Sequence, residues 1–113
     1  MPGKSNNSFL ARRYSKSRND SPEAAGQRLI RVYELAIDAA RRENAWGVRH
    51  CLGLLRHTLD PAADPNIALT LSELYTDCEQ IIALKDFGQL MEILEHVKGL
   101  WIARMKLDSL QRG

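Results

Sequence analysis

Residues 66–101 read NIALTLSELYTDCEQIIALKDFGQLMEILEHVKGLW, and this stretch decides the fold. In its first half Ile67, Leu71, Leu74, Cys78, Ile81 and Ile82 recur at steps of three and four; in its second half Phe87, Leu90, Leu94, Val97 and Trp101 do the same. Each half therefore offers one apolar stripe along a helix. Only Leu84, Lys85 and Asp86 separate the halves, and Asp86 is suited to cap the second helix. So short a connection folds the helices back antiparallel with their stripes facing.

Upstream, Ser21 and Pro22 form a cap-then-proline start, and Leu29, Ile30, Tyr33, Ile37 and Ala40 mark one face of the helix that follows. Gly26 weakens its opening turns by about 1 kcal/mol. That helix stops near Glu43 and Asn44. Asn44 can cap a second helix with apolar positions Val48, Cys51, Leu52, Leu55 and Leu59, which Asp60 and Pro61 bring to an end because the residue before proline is pushed out of the α region. Asp64 and Pro65 then repeat the start signal. The last helix continues past Trp101 through Ile102 and Met105 toward Leu110. No sustained period-two alternation and no Asn-Gly or Asp-Gly turn competes with helices. The expected fold is all-α, an antiparallel four-helix bundle with room for a short extra N-terminal helix.

A chain of 113 residues suits one such domain, with residues 21–113 as the helical bundle. Residues 1–20 carry Lys4, Arg12, Arg13, Lys16 and Arg18 against Asp20 and are rich in Ser and Asn, so they are expected to form a basic, flexible N-terminal arm. Such an arm can reach a nucleic acid or a membrane surface, although a solvated tail is the plainer reading. No run of 18 apolar residues is present, so membrane insertion is not expected. The first residues lack an apolar signal-peptide core, and Cys51 and Cys78 sit on helix stripes without a CxxC pair, which suits buried thiols in the cytoplasm.

The search for chemistry points away from an enzyme and from a cofactor. His50 and His57 lie two turns apart on one helix, and two such ligands do not close a zinc site. His50 and Cys51 are neighbours and point apart. The glycines at 47, 53, 88 and 99 stand alone inside helical patterns rather than in a phosphate loop. Glu92 with Glu95, and Glu73 with Asp77, read as solvated faces.

What stands out is a surplus of apolar residues on the last two helices. Leu69, Tyr75, Ile93, Leu100 and Leu107 lie beside the main stripes, and the last three are spaced by sevens. A second line of this kind fits a partner helix laid into a groove through i, i+3, i+4 and i+7 anchors. A wider core, or cover from Phe9, Leu10 and Tyr14 of the arm, would serve it equally.

Four runs, in order, resemble one family. LIRVYELAI at 29–37 is similar to the LxxMLYDGAI stretch of the flagellin export chaperones (the FliS family). LRHTLD at 55–60, IALTLSELY at 67–75 and KDFGQLMEILEHVKGLW at 85–101 continue the likeness over roughly residues 21–105. Glu34 and Leu35 depart from the family's Asp and Gly, the Ser-Pro pair lies farther upstream, and the arm is more basic. The resemblance implies a cytoplasmic bundle of four to five helices that binds the disordered C-terminal segment of flagellin in an apolar groove. Binding would prevent premature polymerisation and present the subunit to the export gate. Matched by position, Tyr14, Tyr33 and Tyr75 correspond to the family's tyrosines, and the groove candidates are Tyr14, Ile30, Tyr33, Leu71, Tyr75, Ile93 and Leu100. For Tyr33 and Tyr75 a plain core position is equally compatible. The alternatives are a helical export adaptor with a different client, or a helical regulator whose basic arm binds nucleic acid. The arm is also expected to cover the groove when no client is bound.

Overall fold

The computed structural model describes residues 22–112, and they form four helices: α1 Pro22–Arg41, α2 Ala45–His57, α3 Pro65–Ala83 and α4 Phe87–Arg112. Expectations that concern Ser21 and the basic arm, including Phe9, Leu10 and Tyr14, lie outside the described residues. The helices make an antiparallel bundle. α1 packs on α4 and α2, and α3 packs on α2 and α4, which leaves α1 and α3 at opposite corners. No strand occurs among the described residues.

Three of the four helix starts are fixed by the side chains the sequence offers. Asn44 Oδ1 accepts from the Gly47 N–H at 3.0 Å, Asp64 Oδ1 from the Ile67 N–H at 3.1 Å, and Asp86 Oδ1 from the Gln89 N–H at 3.1 Å. Each satisfies one of the amides that a helix start leaves without a partner, worth about 1 kcal/mol. The two tight turns are copies of each other. After α1, Glu43 donates to the Ala40 carbonyl and Asn44 to the Ala39 carbonyl; after α3, Lys85 donates to Ile82 and Asp86 to Ile81. This double closure needs a left-handed residue, and Glu43 (φ 56°) and Lys85 (φ 62°) adopt it in place of the usual glycine. Gly47 lets α2 start close against α1, since a Cβ there would stand 3.1 Å from the Ala39 Cβ and 2.7 Å from the Asn44 side-chain Nδ2.

α2 is shorter than its apolar spacing suggests. It ends at His57, with Thr58 Oγ1 donating to the Leu55 carbonyl at 2.6 Å, three residues before the Asp60-Pro61 pair. Competition by a threonine hydroxyl for the last helical carbonyls ends the helix before proline sterics are needed. Leu59 therefore packs against the core from a loop. Asp60 organises that loop by accepting from the Ala62 and Ala63 amides.

The core runs the length of the bundle. Ala36, Ile37 and Ala40 of α1, Val48, Leu52 and Leu55 of α2, Cys78 and Ile82 of α3, and Leu90 and Leu94 of α4 are buried in one cluster. Both cysteines are free and buried. The ion pairs between helices, Lys98 Nζ to Glu34 Oε2 at 3.8 Å and Arg56 Nη2 to Glu79 Oε2 at 3.6 Å, are partly exposed and contribute little beside the apolar core. Among the described residues, no helix is long and apolar enough to cross a membrane.

Candidate functional site

The bundle has two unlike ends. At the end of the two tight turns the helices close on the core. At the other end lie the start of α1, the 58–64 loop, the start of α3 and the last turns of α4, and here α3 and the loop stand away from α1 and α4, which stay close to each other.

Two recesses occupy that end. A cavity of about 580 Å³ lies between α1, the 58–64 loop, α3 and α4, with Leu29, Val32, Leu59, Ile67, Leu71 and Met105 among its walls. A second, of about 310 Å³, opens outward between α3 and α4 and is lined by Ile67, Leu71, Val97, Leu100, Trp101 and Arg104, with Asn66 and Thr70 at its polar edge. Ile67, Leu71, Trp101 and Arg104 line both, so the recesses adjoin along these four side chains as one cleft. Its exposed lip is apolar at Leu100, which is 58% exposed; Leu107, two turns farther along α4 and outside the lining of both recesses, is 55% exposed. A third recess, of about 510 Å³, lies between α1 and α4 beside Ile30, Ile102 and Met105, with Arg31, Glu34 and Lys106 around it. Beside the first cavity α1 and α4 come close: a Cβ on Gly26 would stand 2.7 Å from the Met105 sulfur.

Beneath the cleft floor sits a polar group of three. The Tyr33 and Tyr75 hydroxyls meet at 2.6 Å, although they come from opposite corners of the bundle, and the Trp101 indole N–H donates to the Tyr33 oxygen at 3.2 Å. Both tyrosines are essentially inaccessible to solvent. A buried hydroxyl without a partner costs about 1–3 kcal/mol, so each ring tip needs the other to be tolerated there. Burial raises both phenol pKa values, and for Tyr75 the hydrogen bond it shares with Tyr33 adds to the effect, because ionising Tyr75 gives up the proton it donates. The hydroxyls stay neutral at ordinary pH and act as hydrogen-bonding groups that fix the position of Trp101.

The residues expected to form a groove are thus divided. Leu71 and Leu100 line the α3–α4 cleft, and Ile30 lines the recess between α1 and α4. Ile93 is half-buried and packs on the core. Tyr33 and Tyr75 are corrected from groove to core: their stripes face inward, and the hydroxyls satisfy each other across the diagonal. Tyr14 lies outside the described residues. Spacing did not single out Trp101, Val97, Ile67 and Arg104 as cleft residues, because the first three also fit a core stripe. The signal was in Val97, Leu100, Trp101 and Arg104, at i, i+3, i+4 and i+7, where core-type and exposed positions run side by side.

Burial pushes the Cys78 thiol up to about 11 and also raises Cys51, so both are protonated packing groups rather than nucleophiles at neutral pH. No group of three His, Cys, Asp or Glu residues able to hold a metal ion occurs among the described residues. Compared with protein-family models, curated proteins and solved structures, the chain has no match.

Proposed function

We propose that this protein is a flagellin export chaperone that takes the disordered, helix-forming C-terminal segment of flagellin into the α3–α4 cleft. The observation that carries the proposal is the cleft itself: a mostly apolar recess between α3 and α4 at the open end of the bundle, with Leu100 exposed at its lip and Leu107 exposed farther along the same helix. An amphipathic helix presents anchors at i, i+3, i+4 and i+7, and a cleft between two helices is the complementary shape. The four sequence runs that resemble the export chaperones support flagellin as the client. In this reading the client helix is held in the cytoplasm, kept from polymerising, and passed to the export gate.

The energetics suit a temporary complex. Ordering a disordered segment costs about 2–5 kcal/mol, which burial of a long apolar face offsets while leaving the complex releasable. Arg104 on the cleft rim and the polar edge at Asn66 and Thr70 set the orientation of the segment.

The test is calorimetric titration of the full chain with a peptide spanning roughly the last 40 residues of flagellin, long enough for more than one helix. Binding at micromolar or lower Kd with a clearly negative heat-capacity change is expected, and Leu100→Glu should weaken it by about tenfold or more. Absence of heat at every temperature would remove flagellin as the client.

A further inference from the structure

A different face of the molecule carries an unused pattern. Among the four helices only two bear charges of a single sign. α2 carries Arg49 and Arg56 and no carboxylate, whereas α3 carries Glu73, Asp77 and Glu79 and neither Lys nor Arg. They lie side by side. Arg56 joins them through Thr76 Oγ1 at 3.0 Å and the Glu79 ion pair, which fixes their relative level. The outer surface of this pair is therefore half basic and half acidic.

Apolar groups stand at one end of the same surface. Trp46 is 74% exposed and stacks flat on His50, with ring centroids 5.4 Å apart and planes 7° apart. Leu84, just past the end of α3, is 77% exposed. Trp46 lies about three turns back along α2 from Arg56, and Leu84 about two turns on along α3 from Thr76, so they stand at nearly the same height.

We infer that the α2–α3 face binds a second copy of this chain about a two-fold axis that runs between the two helices and parallel to them. That operation lays α2 of one copy on α3 of the other and preserves height along the axis. It sets Trp46 against the second copy's Leu84 and His50 beside the second copy's Gln80, with the basic helix over the acidic one, and repeats each contact once by symmetry. A two-fold axis perpendicular to the helices would instead put α2 on α2, basic on basic. The charge pattern selects between them. A 13-residue helix is about 20 Å long, and a patch two helices wide lies at the small end of specific interfaces, so the dimer is a weak one, forming at micromolar concentrations or above.

Sedimentation equilibrium of the full chain at about 50 mM salt, where surface charges are less screened, tests this. The wild type should show a monomer–dimer equilibrium, and Trp46→Ala should weaken it by about tenfold with unchanged helicity, since Trp46 is exposed in the single chain. The decisive arm uses two reversed variants, Arg49→Glu with His50→Glu, and Asp77→Lys with Gln80→Lys. All four positions are exposed. Asp77→Lys with Gln80→Lys sets like charge against Arg49 at both symmetric contacts, and Arg49→Glu with His50→Glu removes the basic side of both, so each should dimerise about tenfold or more weakly than wild type; in an equimolar mixture one contact sets opposite charges at positions 50 and 80 and the other keeps the wild-type residues, and dimerisation should recover to within about threefold. A wild type that stays monomeric to millimolar concentration, a dimer indifferent to Trp46→Ala, or a mixture no better than its components would overturn the inference.

Discussion

The two ends of this bundle are made from the same four helices and filled differently. At the closed end, three-residue connections, two left-handed cap residues and two Asx caps draw the helices together, and Leu90 and Leu94 of α4 are fully buried. At the open end a longer loop, organised by Asp60 and Asp64, separates α2 from α3, and α4 runs on with Leu100 and Leu107 exposed. The same apolar side chains thus serve as core in one place and as cleft in the other. Connection length sets the difference: a short turn leaves no room for the helices to diverge, and a long one does.

The largest expected contrast lies within one helix. Leu90→Ala removes a fully buried side chain and should cost about 2–5 kcal/mol in urea unfolding, whereas Leu100→Ala, at a site 58% exposed, should change stability by no more than about 0.5 kcal/mol. If the two losses were equal, the ends would not differ as described.

Next comes the tyrosine pair beneath the cleft floor. Tyr33→Phe leaves both the Tyr75 hydroxyl and the Trp101 indole N–H without their partner and should cost about 1–3 kcal/mol. Tyr75→Phe leaves Tyr33 still accepting from Trp101 and should cost less, about 1 kcal/mol. The reverse order would show that Trp101 does not depend on Tyr33. The same burial gives a pH dependence. The tyrosines and both cysteines ionise in the unfolded chain before they do in the folded one, so stability is level below the ordinary thiol value of 9.0 and falls as pH rises from there through about 11, where Cys78 titrates. Urea midpoints measured from pH 7 to 11 should show this decline, and it should be shallower in Cys78→Ala.

The smallest effect sharpens the closed end. Glu43 and Lys85 hold left-handed conformations that favour glycine, so Glu43→Gly and Lys85→Gly should each raise stability by about 0.5–1 kcal/mol in thermal unfolding. Destabilisation by either would mean that the side chain makes a contact worth more than the backbone strain it causes.

Much of this contrast could be read from residues close together in sequence, and the part that could not depended on residues far apart. The cap residues Asn44, Asp64 and Asp86 act within three positions of themselves, so the helix starts were legible. The inward stripes were equally legible from their spacing. Left-handed Glu43 and Lys85 were not, because no glycine marks them. The roles of the tyrosines were not either: Tyr33 and Tyr75 meet across 42 positions, and only packing decides whether an amphipathic residue ends in core or cleft. Leu59 failed for a local reason, since the Thr58 hydroxyl ended α2 before the apolar spacing did.

Hydrogen exchange of the full chain, free and with the flagellin C-terminal peptide, shows at which end of the bundle the peptide is held. Fast exchange is expected in the free protein along residues 65–71 and 97–107, with strong slowing there when the peptide is added and little change around residues 82–94 at the closed end. Slowing confined to α1 and α2, or no slowing at saturating peptide, would contradict that expectation.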